Sequence, residues 1–404
     1  MAMKKAECII SLLLLSAKAF SGVPDTVNIE NPNVHSYITE NVYENTKQAT
    51  VIKKYLNGLD EKRLDQPNLV RVTLPSPASS KGKFYYSTSK DFSNAVVVDI
   101  KKGDTECIIM NPVPQTTVYS KAVIGSKKVV SGKTFIDGQV RMIYLPSVLN
   151  VRDMGGWEAQ SGKRIKYGLL FRGGELDFQE KHTATPEDIA EMRRIGILAD
   201  LDLRDYDESY QTSSALGSDI PYIFNGHTIF DYKAMKEDAA KWKSDFEFIV
   251  DNLRNGRGVY LHCIMGADRT GLICFMIGGL LGMPIDQLLK DYELTSMTAS
   301  NYYRDLSRLN LHLQYINQKQ GSTLIDRFYN YFRYDLQVKD KYIRDFRKIM
   351  LDGYEAYVAT TDIDDVEADD EVIGDDVIYD LSGRAIEKPS TGFYIQNGKK
   401  HIAK

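Results

Sequence analysis

The sequence predicts a multidomain protein in which a β-sandwich is followed by an α/β domain with a mainly parallel central sheet and flanking helices. Three observations carry that expectation. Short apolar strands with turn residues between them recur from about residue 68. Strands and helices alternate from about residue 141. The chain has 404 residues, 43% of them hydrophobic, enough for more than one ordinary core. Composition also narrows the function: 51 Lys and Arg against 55 Asp and Glu leave a net charge of -4, with no global attraction to nucleic acid or acidic lipid. Twenty-five Tyr and only 12 Pro do not describe a disordered or fibrous chain.

Residues 1–19 read as a secretory signal: Lys4 and Lys5, an apolar stretch through Ile9, Ile10 and Leu12 to Leu15, then Ala17-Lys18-Ala19. Cleavage after Ala19 predicts an exported protein, periplasmic, cell-surface or secreted; a buried N-terminal helix is the alternative. The longest later apolar stretch, 271–283, is too short to span a bilayer and reads as a core helix. Beyond the signal, Cys107, Cys263 and Cys274 are odd in number and widely spaced, which argues against a disulfide framework. The six His residues form no i,i+4 pair and no Cys-x-x-Cys accompanies them, so a metal site is not expected.

Residues 20–67 form an N-terminal polar segment with one amphipathic stretch, 46–59. The β-sandwich module, 68–140, is built on expected strands at 69–74, 83–89, 95–100, 107–110, 118–123 and 129–135, divided by turn clusters such as Lys102-Gly103-Asp104. Its run Asn111-Pro112-Val113-Pro114 leading to Tyr119 resembles the proline turn and following strand of fibronectin type III and immunoglobulin-like domains; its partner is unassigned. In the α/β domain, 141–358, strands are expected at 197–203 and 258–262 and helices at 186–195, 236–252 and 270–281. The Tyr- and Arg-rich stretch 301–351 reads as helices whose aromatic stripes are packing faces, or alternatively a lid. An acidic linker follows at 359–376, with nine Asp and Glu and no Lys or Arg between 362 and 376; it reads as solvated, with calcium binding as the alternative. The tail, 377–404, shows hairpin-like units turning at Ser382-Gly383 and Asn397-Gly398. This ending resembles the C-terminal sorting signals of Bacteroidetes exported proteins.

The chemistry is concentrated in Val259-Tyr260-Leu261-His262-Cys263-Ile264-Met265-Gly266-Ala267-Asp268-Arg269-Thr270-Gly271. An apolar strand ends in Cys263, five residues make a loop, and Arg269 opens an apolar helix. Amides of a tight loop and the positive end of a helix converge on one anion, and Arg269 adds a two-pronged contact. The same field moves a thiol from about 8.5 toward roughly 3.5 to 7.5, making Cys263 a nucleophile at neutral pH. The bland alternative makes Cys263 a buried strand-end residue and Arg269 a surface cap. His262 can shape the loop, and the Thr270 hydroxyl can bond the sulfur.

The run from His262 to Gly271 is similar to the signature loop of cysteine-dependent protein tyrosine phosphatases, particularly a bacterial tyrosine/dual-specificity group with Asp immediately before the Arg. Residues 150–156, 167–176, 202–204, 291–295 and 343–351 also resemble features of that group, in the same order. The resemblance implies a tyrosine-phosphatase-like α/β domain in which Cys263 attacks phosphorus and forms a phosphocysteine, without a cofactor. It gives phosphate binding to Arg269 and to Ile264, Met265, Gly266, Ala267 and Asp268. Asp268 is the first choice for the general acid, with a structural ion pair as its alternative, and Asp231 is the second choice. Arg152 and Asp153 either line the site or brace the loop. Ala267 stands where relatives often carry Lys, which weighs against highly phosphorylated substrates. The implied reaction is phosphomonoester hydrolysis on a phosphorylated protein or small substrate, phosphotyrosine or dual-specificity, with inositol phosphates or phosphoinositides as the alternative. Sulfur transfer of the rhodanese kind and an inert binding protein are the competing classes.

Overall fold

A computed structural model describes residues 22–40, 51–59, 62–177, 183–205, 211–227 and 233–353, with C-terminal strand segments at 378–379, 385–386, 392–396 and 399–403. The chain divides into two compact units: Met1–His35 with Gln66–Tyr144, and Ser36–Asp65 with Leu145–Lys404.

The first unit contains β1 (Thr26–Asn28), β2 (Val70–Thr73), β3 (Gly82–Ser87), β4 (Val96–Ile100), β5 (Glu106–Ile109), β6 (Thr116–Ile124) and β7 (Lys127–Asp137). One sheet runs β1-β7-β6-β3-β4, and β2 pairs with β5 separately. Period-two alternation points Val70 and Val72 of β2, and Val118, Ser120 and Ala122 of β6, inward. A single buried cluster takes Val70, Val72 and Ile109 from the pair and Phe84, Val118, Ala122 and Ile136 from the larger sheet. β1 lies in the stretch read as polar and irregular; it pairs in parallel with the end of β7, where Phe135.. Asp137 offer a free edge to a three-residue strand.

In the second unit β8 (Arg152–Asp153), β9 (Leu170–Gly173), β10 (Ile197–Asp202), β11 (Tyr222–Phe224) and β12 (Gly258–His262) form a sheet in the order β11-β10-β12-β9-β8. All neighbours are parallel except β8 and β9. All five residues of β12 are buried, as a central parallel strand requires. The helices are α1 (Pro32–Thr39), which passes from the first unit into the second, α2 (Pro186–Arg194), α3 (Ala234–Glu237), α4 (Ala239–Arg254), α5 (Arg269–Leu281), α6 (Ile285–Glu293), α7 (Ser307–Asn317), α8 (Leu324–Asn330) and α9 (Asp340–Met350). A Thr185–Asp188 capping box and Pro186 start α2. α5 is buried on every side, which explains why its sequence has no polar face.

The amphipathic stretch at 46–59 holds a 3-10 turn, Val51–Tyr55, among its described residues. No described helix is long and apolar enough to cross a membrane. At the C-terminus β13 (Ile378–Tyr379), β14 (Ala385–Ile386), β15 (Gly392–Gln396) and β16 (Lys399–Ala403) form an antiparallel sheet. The signal at 1–19, the acidic run at 362–376, and the turns at Ser382-Gly383 and Asn397-Gly398 lie outside the described residues.

Candidate active site

β12 delivers Cys263 to the C-terminal edge of the sheet, where ligand crevices of open α/β folds form. The loop 263–268 then turns directly into α5 at Arg269. The turn depends on Gly266, whose φ is +64°; a Cβ there would stand 2.1 Å from the Gly173 carbonyl oxygen.

The loop carbonyls are held from outside. Glu175 N–H donates to the Ile264 oxygen at 2.9 Å. Asn150 Nδ2 donates to the oxygens of Met265 and Gly266 at 3.0 and 3.2 Å, and Arg172 Nη2 donates to the Gly266 oxygen at 2.8 Å. In a trans peptide the N–H points opposite to the carbonyl. Fixing these three carbonyls outward therefore aims the amides of Met265, Gly266 and Ala267 the other way, forming a nest for an anion.

The clamps are themselves clamped. Asp291 accepts from Arg152 Nε at 3.0 Å and from Arg172 Nη1 at 2.6 Å, while Arg152 Nη1 donates to Asn150 Oδ1 at 2.6 Å. Both guanidiniums are 0% exposed. Burial pushes the Asp291 carboxyl up, but Arg152 and Arg172 outweigh it and hold the group below its ordinary range. Asn150, at φ +59°, donates its own N–H to Asp65 at 3.0 Å, and the Leu64 and Asp65 amides donate to the Met297 carbonyl.

Cys263 is 2% exposed. Burial raises its thiol, yet the Arg269 charge and then the Thr270 hydroxyl and amide prevail, leaving it below an ordinary cysteine. Burial prevails elsewhere: Cys107 is pushed up to about 11, and Cys274 to about 12 despite the nearby Arg172 and Arg152 charges. Arg269 Nη1 donates to the His227 carbonyl at 3.3 Å. The His227 ring stacks on Trp242 at 3.7 Å between Asp238 and Asp245, at 3.2 and 2.8 Å. His262 faces Asp200 at 3.2 Å and Asp202 at 4.0 Å. Burial opposes its charge, but the two carboxylates push it up to about 9.

Asp268 lies at the loop rim. Its carboxylate accepts from Arg304 Nε and Nη2 at 2.9 and 2.8 Å and from Tyr292 Oη at 3.1 Å, and pairs with Arg308 at 3.1 Å. Arg152 points into the bracing cluster, and Asp153 accepts from the amides of Gly155 and Gly168 at 2.8 and 2.7 Å. Both side chains brace the scaffold. Ala267 is 1% exposed. Asp231 lies outside the described residues. Among those residues no group of three or more His, Cys, Asp or Glu gathers as a metal would need.

Asn150, Arg172, Asp291, His227, Arg304 and Arg308 received no role from the sequence. The first three begin or sit within the runs 150–156, 167–176 and 291–295, which was the available signal. Arg304 and Arg308 carried an i,i+4 spacing in the Arg-rich segment.

Asp291→Asn strands two buried guanidiniums and should cost about 3–5 kcal/mol of unfolding free energy in a denaturant titration. A second expectation concerns pH. The folded His262 value, about 9, lies above the unfolded one, so its contribution is full below about 6.5 and is lost as pH rises to about 9. The Tm difference between wild type and His262→Asn should accordingly shrink across that interval.

Residues 143–370 match the model of the tyrosine phosphatase family. A provisionally named tyrosine-protein phosphatase of Cupriavidus necator is 21% identical over 168 residues, 36% of this chain; the chain spans 60% of that relative's length. The crystal structure of P. aeruginosa TpbA is 17% identical and covers 38% of this chain and 89% of that one, with a TM-score of 0.26.

Proposed function

Because the chain belongs to the tyrosine phosphatase family, we propose that it is a phosphoric monoester hydrolase acting on phosphotyrosine or a dual-specificity range through a phosphocysteine intermediate. The observation that carries this reading is the pinned loop: the carbonyls of Ile264, Met265 and Gly266 are held from outside, and the thiol at the loop's start is lowered by Arg269. The Cys263 thiolate attacks phosphorus, an S–P bond forms and the ester P–O bond breaks. Arg269 and the amides of residues 264–268 hold the phosphoryl oxygens as charge builds on them. The leaving oxygen needs a proton: Asp268 is the first candidate for that acid, a role that requires its carboxylate to leave Arg304 and Arg308 and take up a proton, and Asp231 is the second. Water then attacks phosphorus while the carboxylate left by the first step takes its proton, the S–P bond breaks, and phosphate leaves with both the thiolate and the acid restored. Thr270 supports the sulfur and His262 shapes the loop; Arg152 braces the loop through Asn150, and Asp153 braces the segment around Gly155 and Gly168. Inositol phosphates remain the alternative substrates of the same loop, disfavoured by the buried Ala267 where a cation would stand.

The 1–19 segment supports export, and the tail at 377–404 supports sorting to the cell surface. The antiparallel strands after the Pro112–Pro114 turn support a fibronectin type III-like module.

Cys263→Ser should abolish release of phosphate from a phosphotyrosine peptide while the thermal transition persists; turnover in that variant would remove Cys263 from the nucleophile role. Asp268→Asn should lower kcat on the same peptide by about 10²–10⁴-fold, and by less on an aryl phosphate with a more acidic leaving group. The same loss from Asp231→Asn, with Asp268→Asn unaffected, would transfer the acid role.

A further inference from the structure

Resting on the hydrolase reading above, we propose that Asp65, on a segment that precedes the family-matched residues 143–370, is a positioning residue of the phosphate loop and acts through Asn150. The compact unit that holds Cys263 takes in Ser36–Asp65 as well as Leu145–Lys404, so this carboxylate belongs to the site's own unit.

Asp65 is placed with little freedom. Its side chain is 1% exposed. Oδ1 accepts from Arg63 Nε and Oδ2 from Arg63 Nη2, both at 2.9 Å, a two-pronged pair. The same guanidinium donates to the Val148 carbonyl at 3.1 Å, just ahead of Asn150. The Leu64 and Asp65 amides donate to the Met297 carbonyl at 2.9 and 3.1 Å, and Thr298 Oγ1 donates to Asp65 Oδ2 at 3.3 Å. The turn 63–65 thereby joins the entry to β8 at 148–150 to the segment after α6 at 297–298.

That placement controls the backbone of Asn150. Its φ of +59° lies in the left-handed region, which a residue other than glycine keeps only where its surroundings hold it there. Asp65 Oδ2 accepts the Asn150 N–H at 3.0 Å, a charge-assisted bond in a buried setting. The backbone of Asn150 aims its side chain, whose Nδ2 reaches the Met265 and Gly266 carbonyls while Arg152 holds Oδ1. Removing the carboxylate leaves a buried N–H without this acceptor and releases that torsion, so Nδ2 loses its aim. The amides of Gly266 and Ala267 then turn with the carbonyls to which they are joined. Arg172 keeps its own bond to the Gly266 carbonyl, so the loop is loosened with its scaffold in place.

The test follows orthovanadate, an oxyanion that takes the geometry of the attacked phosphoryl group, through its protection of Cys263 against iodoacetamide. This binding measurement needs no turnover, and the half-protecting concentration is taken within each protein, so differences in the bare alkylation rate cancel. Asp65→Ala leaves Arg63, whose side chain is 22% exposed, within reach of water. It should raise the half-protecting concentration by roughly tenfold and lower kcat on a phosphotyrosine peptide by a similar factor. Asp65→Asn, close in shape and still offering an acceptor oxygen, should recover part of the loss, and it serves if Asp65→Ala does not fold. In an Asn150→Ala background Asp65→Ala should add less than about twofold, because the path it breaks is already cut. Unchanged protection in both Asp65 variants, or losses that multiply in the double variant, overturns the positioning role while leaving the hydrolase reading standing. Wild type that turns over no phosphomonoester, with vanadate protection still weakened by Asp65→Ala, instead overturns the hydrolase reading.

Discussion

The buried Arg152–Asp291–Arg172 cluster is the constraint on which the site rests. An isolated charge in a protein interior is costly, and these groups persist because each meets oppositely charged or carbonyl oxygen partners. Two guanidiniums share one carboxylate, so positive charge remains beneath the loop. It is spent on backbone oxygens: Arg172 reaches the Gly266 carbonyl, and Arg152 orients the Asn150 amide that reaches Met265 and Gly266. The direction of the loop amides follows from side chains outside the loop.

Sequence separation is bridged by this arrangement. Asp65, Asn150, Arg172, the loop, Asp291 and Thr295 come from distant segments, and each bonds another member of the set. Close packing adds its own demands. Gly266 and Gly173 approach too tightly for a side chain, and a Cβ on Gly271 would meet the Tyr292 ring at 2.9 Å. The Tyr292 hydroxyl in turn bonds Asp268. The helix behind the loop and the rim in front of it are thus connected through one aromatic residue.

The legible parts of the chain were those with strong local periodicity. β12 begins and ends where its apolar run does, and α2 starts at the Thr185 cap that Pro186 follows. Cys263, Gly266 and Arg269 were readable because a strand, a glycine and an apolar helix surround them. α1 and β1 were not, since a short amphipathic turn in a polar context and a three-residue edge strand carry little periodic signal. The predicted helix at 236–252 became α3 and α4, interrupted near Asp238, whose carboxylate is engaged by His227. The roles of Asn150, Arg172, Asp291 and Arg304 arise from tertiary contact, which no local pattern encodes; Asp231 lies outside the described residues.

The cysteines of the described residues, all three buried and unbridged, are sorted by their surroundings. At neutral pH the elevated Cys107 and Cys274 stay protonated, and of the three only Cys263 is shifted toward its anionic form. Alkylating agents and peroxides react with thiolate far faster than with thiol. A mild oxidant therefore discriminates among these sulfurs by chemistry, since burial is common to all of them, and strikes first at the one seated behind Arg269.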